Sequence, residues 1–276
     1  MTTPQSTTAA MPLAYPSTSP DMPTLVLVHG AWHGGWCWQR VLPLLHAQGL
    51  AAHAVTLTGV GERAHLLSGQ IRLSTHVQDV LGLIDTLELP RVLLVGHSYG
   101  GMVITGVADA LLARGGQGVA NGVHASRVAG LVYVDAVTPH PGESWSSRHT
   151  PDTVAARVAL AHSQGAGVGI PPPDAAVFGL DGADRDWVNR RQTPQPLGVY
   201  QDPLHFDAGA VAALPRTFID CTDPALPTIA AMRERVRSEP GWLVHELATG
   251  HDPMVSAPEA LAHLLVQAAA AGVAAA

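Results

Sequence analysis

Residues 91–101 read RVLLVGHSYGG, and this stretch decides the fold of the chain. Its first five residues are rich in Val and Leu, which is typical of a buried parallel strand. The Gly-x-Ser-x-Gly that follows places Ser98 at the apex of a sharp turn, and an apolar, helix-like stretch continues to Ala113. Because so tight a turn strains the backbone, its neighbours must be small, and Gly96 and Gly100 meet that demand. Strand, turn and helix in this order predict that Ser98 is a nucleophile.

The same alternation of strands and helices extends along most of the chain. It predicts an α/β fold with a mainly parallel six-stranded sheet flanked by helices. The predicted strands are 24–29, 51–56, 91–95, 127–134, 216–221 and 242–247, and helices are predicted at 36–47, about 224–238 and 257–271, among others.

The alternation is interrupted between Thr138 and about Asp207, a stretch rich in Pro, Gly and Asp. Some 70 residues are too many for a plain loop, so we predict a cap insertion (138–207) over the carboxyl edge of the sheet. The core is then 24–137 together with 208–276. Residues 1–23 are rich in Thr, Ser and Pro, and we expect a disordered N-terminal segment there.

Composition and charge argue against some classes of binding partner. The net charge is −7, only 13% of residues are charged, and 47% are hydrophobic. This balance argues against nucleic acid and anionic membranes as partners. The three arginines between 233 and 237 alternate with other residues and are interpreted as a solvated helix face. No signal-like segment or long apolar run occurs, which favours a cytoplasmic protein, and Cys37 and Cys221 are expected to be buried hydrophobes.

A nucleophilic serine needs a base, and the base needs an acid to orient it. In folds with this strand–turn–helix motif the chain order is Ser, then Asp or Glu, then His. His251 follows the last predicted strand by four residues, which makes it the predicted base.

The acid is expected after the preceding strand, where there are two candidates. Asp220 falls inside the strand, and its side chain is expected to meet a packed helix layer. Asp223 lies just past the strand, at the edge where Ser98 is exposed, so we predict Asp223 as the acid. Asp135, at the end of its own strand, is a third candidate, and a turn-forming role is its alternative.

Two backbone N–H groups are predicted to form an oxyanion hole. One belongs to Tyr99, directly after the nucleophile, and the other to Ala31 in the Gly-rich loop HGAWHGG (29–35). That loop lacks the Lys and Ser/Thr of a phosphate-binding loop and the spacing of a dinucleotide motif. His29 and His33 do not share a helical face and have no carboxylate nearby in the sequence. We therefore expect no metal and no cofactor.

Four motifs carry a family resemblance: LVLVHGAWHGGWCW (25–38), VLLVGHSYGGM (92–102), CTDPALP (221–227) and GHDPMVSAPEAL (250–261). Together they resemble the α/β-hydrolase superfamily. Within it they resemble the branch of plant methyl-salicylate-type methylesterases, hydroxynitrile lyases and bacterial pyrethroid-type carboxylesterases. The resemblance implies that the acid precedes the His by 28 positions, as Asp223 precedes His251 (251 − 223 = 28). Relatives carry one more residue around Thr222 than this chain does.

The lyases of that branch differ from this chain at two positions. They carry a Thr just before the oxyanion donor and a Lys just after the His, where this chain has Gly30 and Asp252. Cyanide beside a charged His favours a cation, and Asp252 supplies the opposite charge. The resemblance therefore implies a serine carboxylesterase that hydrolyses a small, largely apolar ester through an acyl-enzyme. A hydroxynitrile lyase or other C–C lyase, and a non-catalytic ligand-binding receptor, are the alternatives.

The expected partner is a small-molecule ester, and the sequence leaves a homodimer open. Four aromatic side chains are predicted to line the substrate pocket: Trp32, Trp145, Phe178 and Trp187. Packing of the cap onto the core is their alternative role.

Overall fold

Six parallel strands form the central sheet of the computed structural model, which describes residues 22–115 and 127–274. The predicted disordered segment falls almost entirely on residues outside these ranges. In chain order the strands are β1 (Thr24–Val28), β2 (Ala52–Val55), β3 (Val92–His97), β4 (Val128–Val134), β5 (Gly169–Ile170), β6 (Gln195–Pro196), β7 (Arg216–Cys221) and β8 (Trp242–Leu247). The sheet order is β2-β1-β3-β4-β7-β8, while β5 and β6 pair separately as a short antiparallel ribbon. The predicted fold class is confirmed.

Helices cover both faces of the sheet, as parallel strands joined by crossovers require. They are α1 (Leu42–Ala47), α2 (Leu73–Thr86), α3 (Gly100–Gly115), α4 (Pro151–Gln164), α5 (Gly182–Asn189), α6 (Gly198–Gln201), α7 (Ala208–Ala212), α8 (Ala230–Ser238), α9 (Pro253–Ser256) and α10 (Pro258–Ala274). Short 3-10 helices lie at Gly35–Arg40, Gly61–Leu66, Trp145–Arg148, Ala175–Phe178 and Pro227–Ile229.

Proline accounts for two differences from the predicted helices. The helix predicted at 36–47 is a 3-10 turn followed by α1, because Pro43 occupies the first turn of α1 and cannot lie in a helix interior. The helix predicted from about Pro224 begins only at Ala230, after a 3-10 turn that starts at Pro227.

Strand register brings the ends of three strands to one edge of the sheet. Val28 of β1 pairs with Gly96 of β3, and His97 pairs with Val134 of β4. Every residue of β3 and β4 is buried, so the middle of the sheet is a fixed platform. The loops that leave these strands are therefore held at fixed positions beside one another.

Candidate active site

Ser98 occupies the sharp turn between β3 and α3. Its φ of 52° lies in the left-handed region, which costs a non-glycine residue about 1–3 kcal/mol. A Cβ on Gly96 would lie 2.6 Å from the carbonyl oxygen of Gly100, and a Cβ on Gly100 would lie 2.7 Å from that of Val28. The turn expected from Gly-x-Ser-x-Gly is thus present, and backbone contacts explain why both glycines are needed.

His251 lies in the loop after β8, and its ring is oriented by a buried carboxylate. Its Nδ1 donates to Asp135 Oδ2 at 2.6 Å, and both side chains are at most 3% exposed. Asp135 directly follows β4 with a φ of 42°, so it is a second strained residue at this edge. Arg233 Nη2 donates to the other carboxylate oxygen at 2.8 Å. Among the described residues Ser98 Oγ makes no hydrogen bond. Hydrogen bonds between catalytic side chains are often long before substrate binds and shorten when it does.

The expectation that Asp223 orients His251 is not met by this geometry. The backbone N–H of Asp223 donates to Thr249 O at 3.0 Å, which continues the pairing of β7 with β8. This pairing holds Asp223 at the exposed rim, where its side chain makes no hydrogen bond within the described ranges. Asp135, the third candidate, stands where Asp223 was expected.

Asp220 is buried in β7 and points to the helix layer, as expected for a strand position. It forms ion pairs with Arg233 and with Arg237, the latter at 2.6 Å. Arg233 thus joins Asp220 to Asp135 and is only 13% exposed. The interpretation of this part of α8 as a solvated face is therefore wrong for Arg233, because two buried carboxylates need its charge.

The amides of Ala31 and Tyr99 stand free beside Ser98. Within the described residues neither N–H has a hydrogen-bond acceptor, whereas the next amide, that of Trp32, donates to Gln195 Oε1 at 3.0 Å. Buried amides without acceptors are rare, and an oxyanion hole needs donors held ready. Both amides that the sequence predicts as oxyanion donors are thus without an acceptor among the described residues.

His29 fixes the direction of the Ala31 amide. The Leu57 N–H donates to His29 Nε2 at 3.1 Å, so the His29 proton is on Nδ1, which donates to Gly30 O at 2.7 Å. In a trans peptide the C=O and N–H point in opposite directions. Because His29 Nδ1 fixes the Gly30 carbonyl on one side of this peptide, the Ala31 N–H points to the opposite side. Burial lowers the pKa of His29 to about 3, so this neutral form persists at neutral pH.

His33 and Asp252 form a buried ion pair beneath the same loop. His33 Nδ1 lies 2.8 Å from Ala31 O and Nε2 lies 3.0 Å from Asp252 Oδ2, so both ring nitrogens donate and the ring is charged. Burial opposes that charge, but the Asp252 carboxylate raises the pKa of His33. Burial alone would raise the pKa of Asp252, yet the charge of His33 lowers it to about 2.

His97, His251 and Asp252 bring potential metal-ligand atoms within 4.8 Å of one another. Each has another partner, however. His97 Nε2 donates to the backbone carbonyl of His251 at 2.8 Å, and Asp252 is paired with His33. Burial and the neighbouring His251 hold the pKa of His97 well below its usual value, so its ring is neutral. The cluster is a hydrogen-bond network that joins the turn before Ser98 to the His251 loop.

Three of the four predicted pocket aromatics lie together around these loops. Trp32 is 5.6 Å from Trp145 and 6.3 Å from Phe178, measured between ring centroids. Phe178 also lies 5.7 Å from the His251 ring and accepts the His251 N–H at its carbonyl. Trp187 instead packs against Trp36, so the structure does not bring it to the other three.

Sequence reasoning missed the partners that hold the loops. Gln195 lies far along the chain in the predicted cap, and nothing in its local pattern links it to Trp32. No carboxylate lies near His33 in the sequence, but in the structure His33 binds Asp252, which is 219 positions away. A usable signal did exist for Asp135, which is a lone acid after an apolar strand next to the Ser98 strand.

None of the helices in the described ranges combines the length and apolar character that a membrane crossing requires.

Comparison with known proteins places the chain in a family. The model of the alpha/beta hydrolase family matches residues 25–264. A carbendazim-hydrolysing esterase from Nocardioides sp. (strain SG-4G) is 41% identical over 254 residues, covering 88% of this chain and 98% of the relative. A pyrethroid hydrolase from Sphingobium wenxiniae is 27% identical over 271 residues, covering 87% and 85%.

The fold agrees with solved structures. An extracellular alpha/beta-hydrolase from a Paenibacillus species superimposes with a TM-score of 0.73 at 20% identity, covering 89% of this chain and 98% of that one. The chain therefore belongs to the alpha/beta hydrolase family and is an ester hydrolase.

Proposed function

We propose that the chain is a serine carboxylesterase in which Ser98, His251 and Asp135 form the catalytic triad. The observation that carries this proposal is the buried 2.6 Å hydrogen bond between His251 Nδ1 and Asp135 Oδ2. It lies at the same sheet edge as the strained Ser98 and the unpaired amides of Ala31 and Tyr99. Nucleophile, base, acid and oxyanion donors are the complete set for acyl transfer.

In the proposed reaction His251 Nε2 takes the proton of Ser98 Oγ as the oxygen attacks the ester carbonyl. The amides of Ala31 and Tyr99 hold the oxyanion, while Asp135 stabilises the imidazolium through Nδ1. Collapse of the intermediate expels the alcohol, which receives the proton from His251, and leaves Ser98 acylated. Water deprotonated by His251 then releases the acid and restores the serine.

The relatives suggest which esters to try first. The relatives compared above are named for hydrolysis of carbendazim and of pyrethroids. The aromatic rings of Trp32, Trp145 and Phe178 around the site favour an aromatic substrate over a purely aliphatic one. Carbendazim and a pyrethroid are therefore the first candidates, with p-nitrophenyl acetate as a general probe.

An organophosphate tests the nucleophile directly. It should add its phosphoryl mass to the peptide that contains Ser98 and stop turnover of p-nitrophenyl acetate. Ser98→Ala should lose on the order of a million-fold in kcat while keeping its melting temperature, because a methyl group fills most of the site. Labelling elsewhere, or activity of Ser98→Ala within tenfold of wild type, would exclude Ser98 as nucleophile.

Mandelonitrile separates hydrolysis from lyase chemistry. Gly30 precedes the oxyanion donor, and position 252, where the lyases carry Lys, holds an Asp whose charge is paired with His33. We expect no cyanide release above background. Release at a rate comparable to ester hydrolysis, lost in Ser98→Ala, would overturn the esterase proposal.

A further inference from the structure

Twelve buried side-chain polar atoms in the described part of the chain have no hydrogen-bond partner, and four of them are nitrogens that lie close together. These four are Trp145 Nε1, Arg148 Nε, His149 Nε2 and Arg157 Nη1. Trp145 and Arg148 lie on one 3-10 helix and Arg157 lies in α4. Because most buried polar groups in proteins have a partner, four unpartnered nitrogens in one place point to a ligand.

Tyr200 determines which kind of ligand these nitrogens require. Its hydroxyl lies 3.0 Å from His149 Nδ1, and the Arg157 guanidinium carbon lies 5.4 Å from the Tyr200 ring centroid. The unpartnered nitrogens of Trp145, Arg148 and Arg157 can only donate. When the Tyr200 hydroxyl donates to His149 Nδ1, His149 Nε2 carries the proton and is a fourth donor. The partner that these nitrogens lack is therefore an acceptor.

The two arginines also lack a carboxylate partner. In the described part of the chain neither Arg148 nor Arg157 forms an ion pair, whereas Arg233 binds two carboxylates. Burial and the charge of Arg157 lower the pKa of Arg148 to about 9. Two half-buried cations that repel each other are stabilised when an anion binds between them.

This cluster lies next to the oxyanion donors. The Arg157 guanidinium carbon is 5.6 Å from the ring centroid of Trp32 and 5.4 Å from that of Trp145. Trp32 directly follows Ala31 in the chain, and the Trp145 ring is 5.3 Å from the ring of Tyr99. A group bound by the cluster would therefore belong to a molecule that reaches Ser98.

We propose that Arg148, His149 and Arg157 form a subsite for a carboxylate of the substrate. The preferred substrates are then aromatic monoesters that keep a free carboxylate, with the ring against Trp32 and Trp145. Two guanidinium groups and an imidazole N–H are suited to both oxygens of a carboxylate, and charge-assisted hydrogen bonds are the strong ones. This inference rests on the proposed esterase function and names its substrate class.

Monomethyl and dimethyl terephthalate test the subsite, with the isophthalate pair as a second geometry. Within each pair the ring and the scissile methyl ester are the same, and the monoester carries a carboxylate where the diester carries a second methyl ester. Rates for the diester are therefore compared per ester group. We expect wild-type kcat/KM to favour the monoester about tenfold or more. Arg157→Gln and Arg148→Gln should each lose that preference while diester hydrolysis changes less than about threefold.

Arg191→Gln is the matched control. The Arg191 guanidinium carbon lies 4.7 Å from the ring centroid of Trp187 in the same kind of contact, and among the described residues it makes no such contact with Trp32 or Trp145. The control should leave the monoester preference unchanged. Should the Arg148 or Arg157 variants fail to fold, equilibrium dialysis with Ser98→Ala keeps the test open, because that protein should bind the monoester about tenfold more tightly than the diester.

The outcomes separate the subsite from the esterase function. Equal hydrolysis and equal binding of monoester and diester, with organophosphate label on Ser98, would overturn the subsite and leave the esterase intact. Loss of activity toward both esters alike in Arg157→Gln would also overturn it, by assigning Arg157 to cap packing. Failure of organophosphate labelling at Ser98, with no turnover of either ester, would count against the proposed function itself.

Discussion

Replacing Asp135 by Asn tests the assignment of the triad acid. The substitution keeps the size of the side chain but removes the charge that Asp135 presents to His251 Nδ1 at 2.6 Å. An Asn NH₂ turned toward His251 would favour the proton on Nε2, which is the wrong tautomer for a base facing Ser98. In a serine protease triad the same change lowers kcat by about 10⁴. At about 1.36 kcal/mol per tenfold, this loss is about 5 kcal/mol of transition-state stabilisation.

The assay is kcat for p-nitrophenyl acetate, measured beside the melting temperature of each variant. Asp223→Asn is the matched control, because Asp223 is exposed and its side chain makes no hydrogen bond in the described ranges. We expect it to stay within about twofold of wild type, as surface substitutions usually do. Asp220→Asn is a second control and should mainly lower stability, because Arg233 and Arg237 share its buried carboxylate.

One pattern of results would refute the geometric reasoning. If Asp223→Asn lost a thousandfold or more in kcat while Asp135→Asn stayed within tenfold, Asp223 would be the acid. Asp135 would then be only the partner of Arg233. Asp135→Asn could lose activity because it unfolds at a lower temperature. In that case kcat is measured below the melting transition and calculated per folded protein before the variants are compared.

Two further predictions concern the loops around the triad. Asp252→Asn should destabilise the fold by about 2 kcal/mol near pH 5, from the lowering of the Asp252 pKa from 3.8 to about 2. The Asp252 contribution is present above pH 3.8 and is lost as pH falls through about 2, whereas that of His33, whose pKa is raised, is present below pH 6.5 and is lost as pH rises through the raised value. Urea unfolding from pH 3 to 8 should therefore show the largest gap between about pH 4 and 6.5, and a constant gap would contradict the ion pair. His29→Leu should lower kcat about 10²–10³-fold with little change in KM, since it frees the peptide that aims the Ala31 N–H. His29→Gln, which can still donate to Gly30 O, should recover part of that loss, and equal losses in both variants would indicate a packing role.

The sequence predicted those features that depend on contacts between residues a few positions apart. Alternating apolar runs identified the six strands, and the small residues around Ser98 identified the sharp turn, because both patterns act within a few positions. The carboxylate that binds His251 could not be predicted in this way. Asp135 and His251 are 116 positions apart, and the choice between Asp135 and Asp223 depends on how far β7 continues to pair with the loop after β8. That extra pairing is a tertiary property with no local signature.

The structure also gives a different explanation for Asp252, the residue directly after His251. From the sequence alone Asp252 was only the opposite of the cation that a lyase would place there. In the structure its charge is paired with His33, which in turn holds the carbonyl of Ala31. His97, just before Ser98, holds the carbonyl of His251. The loop of residues 29–35, the His251 loop and the Ser98 turn are therefore joined by one buried network, in which the Asp252 carboxylate holds His33 and, through His33, the carbonyl of Ala31.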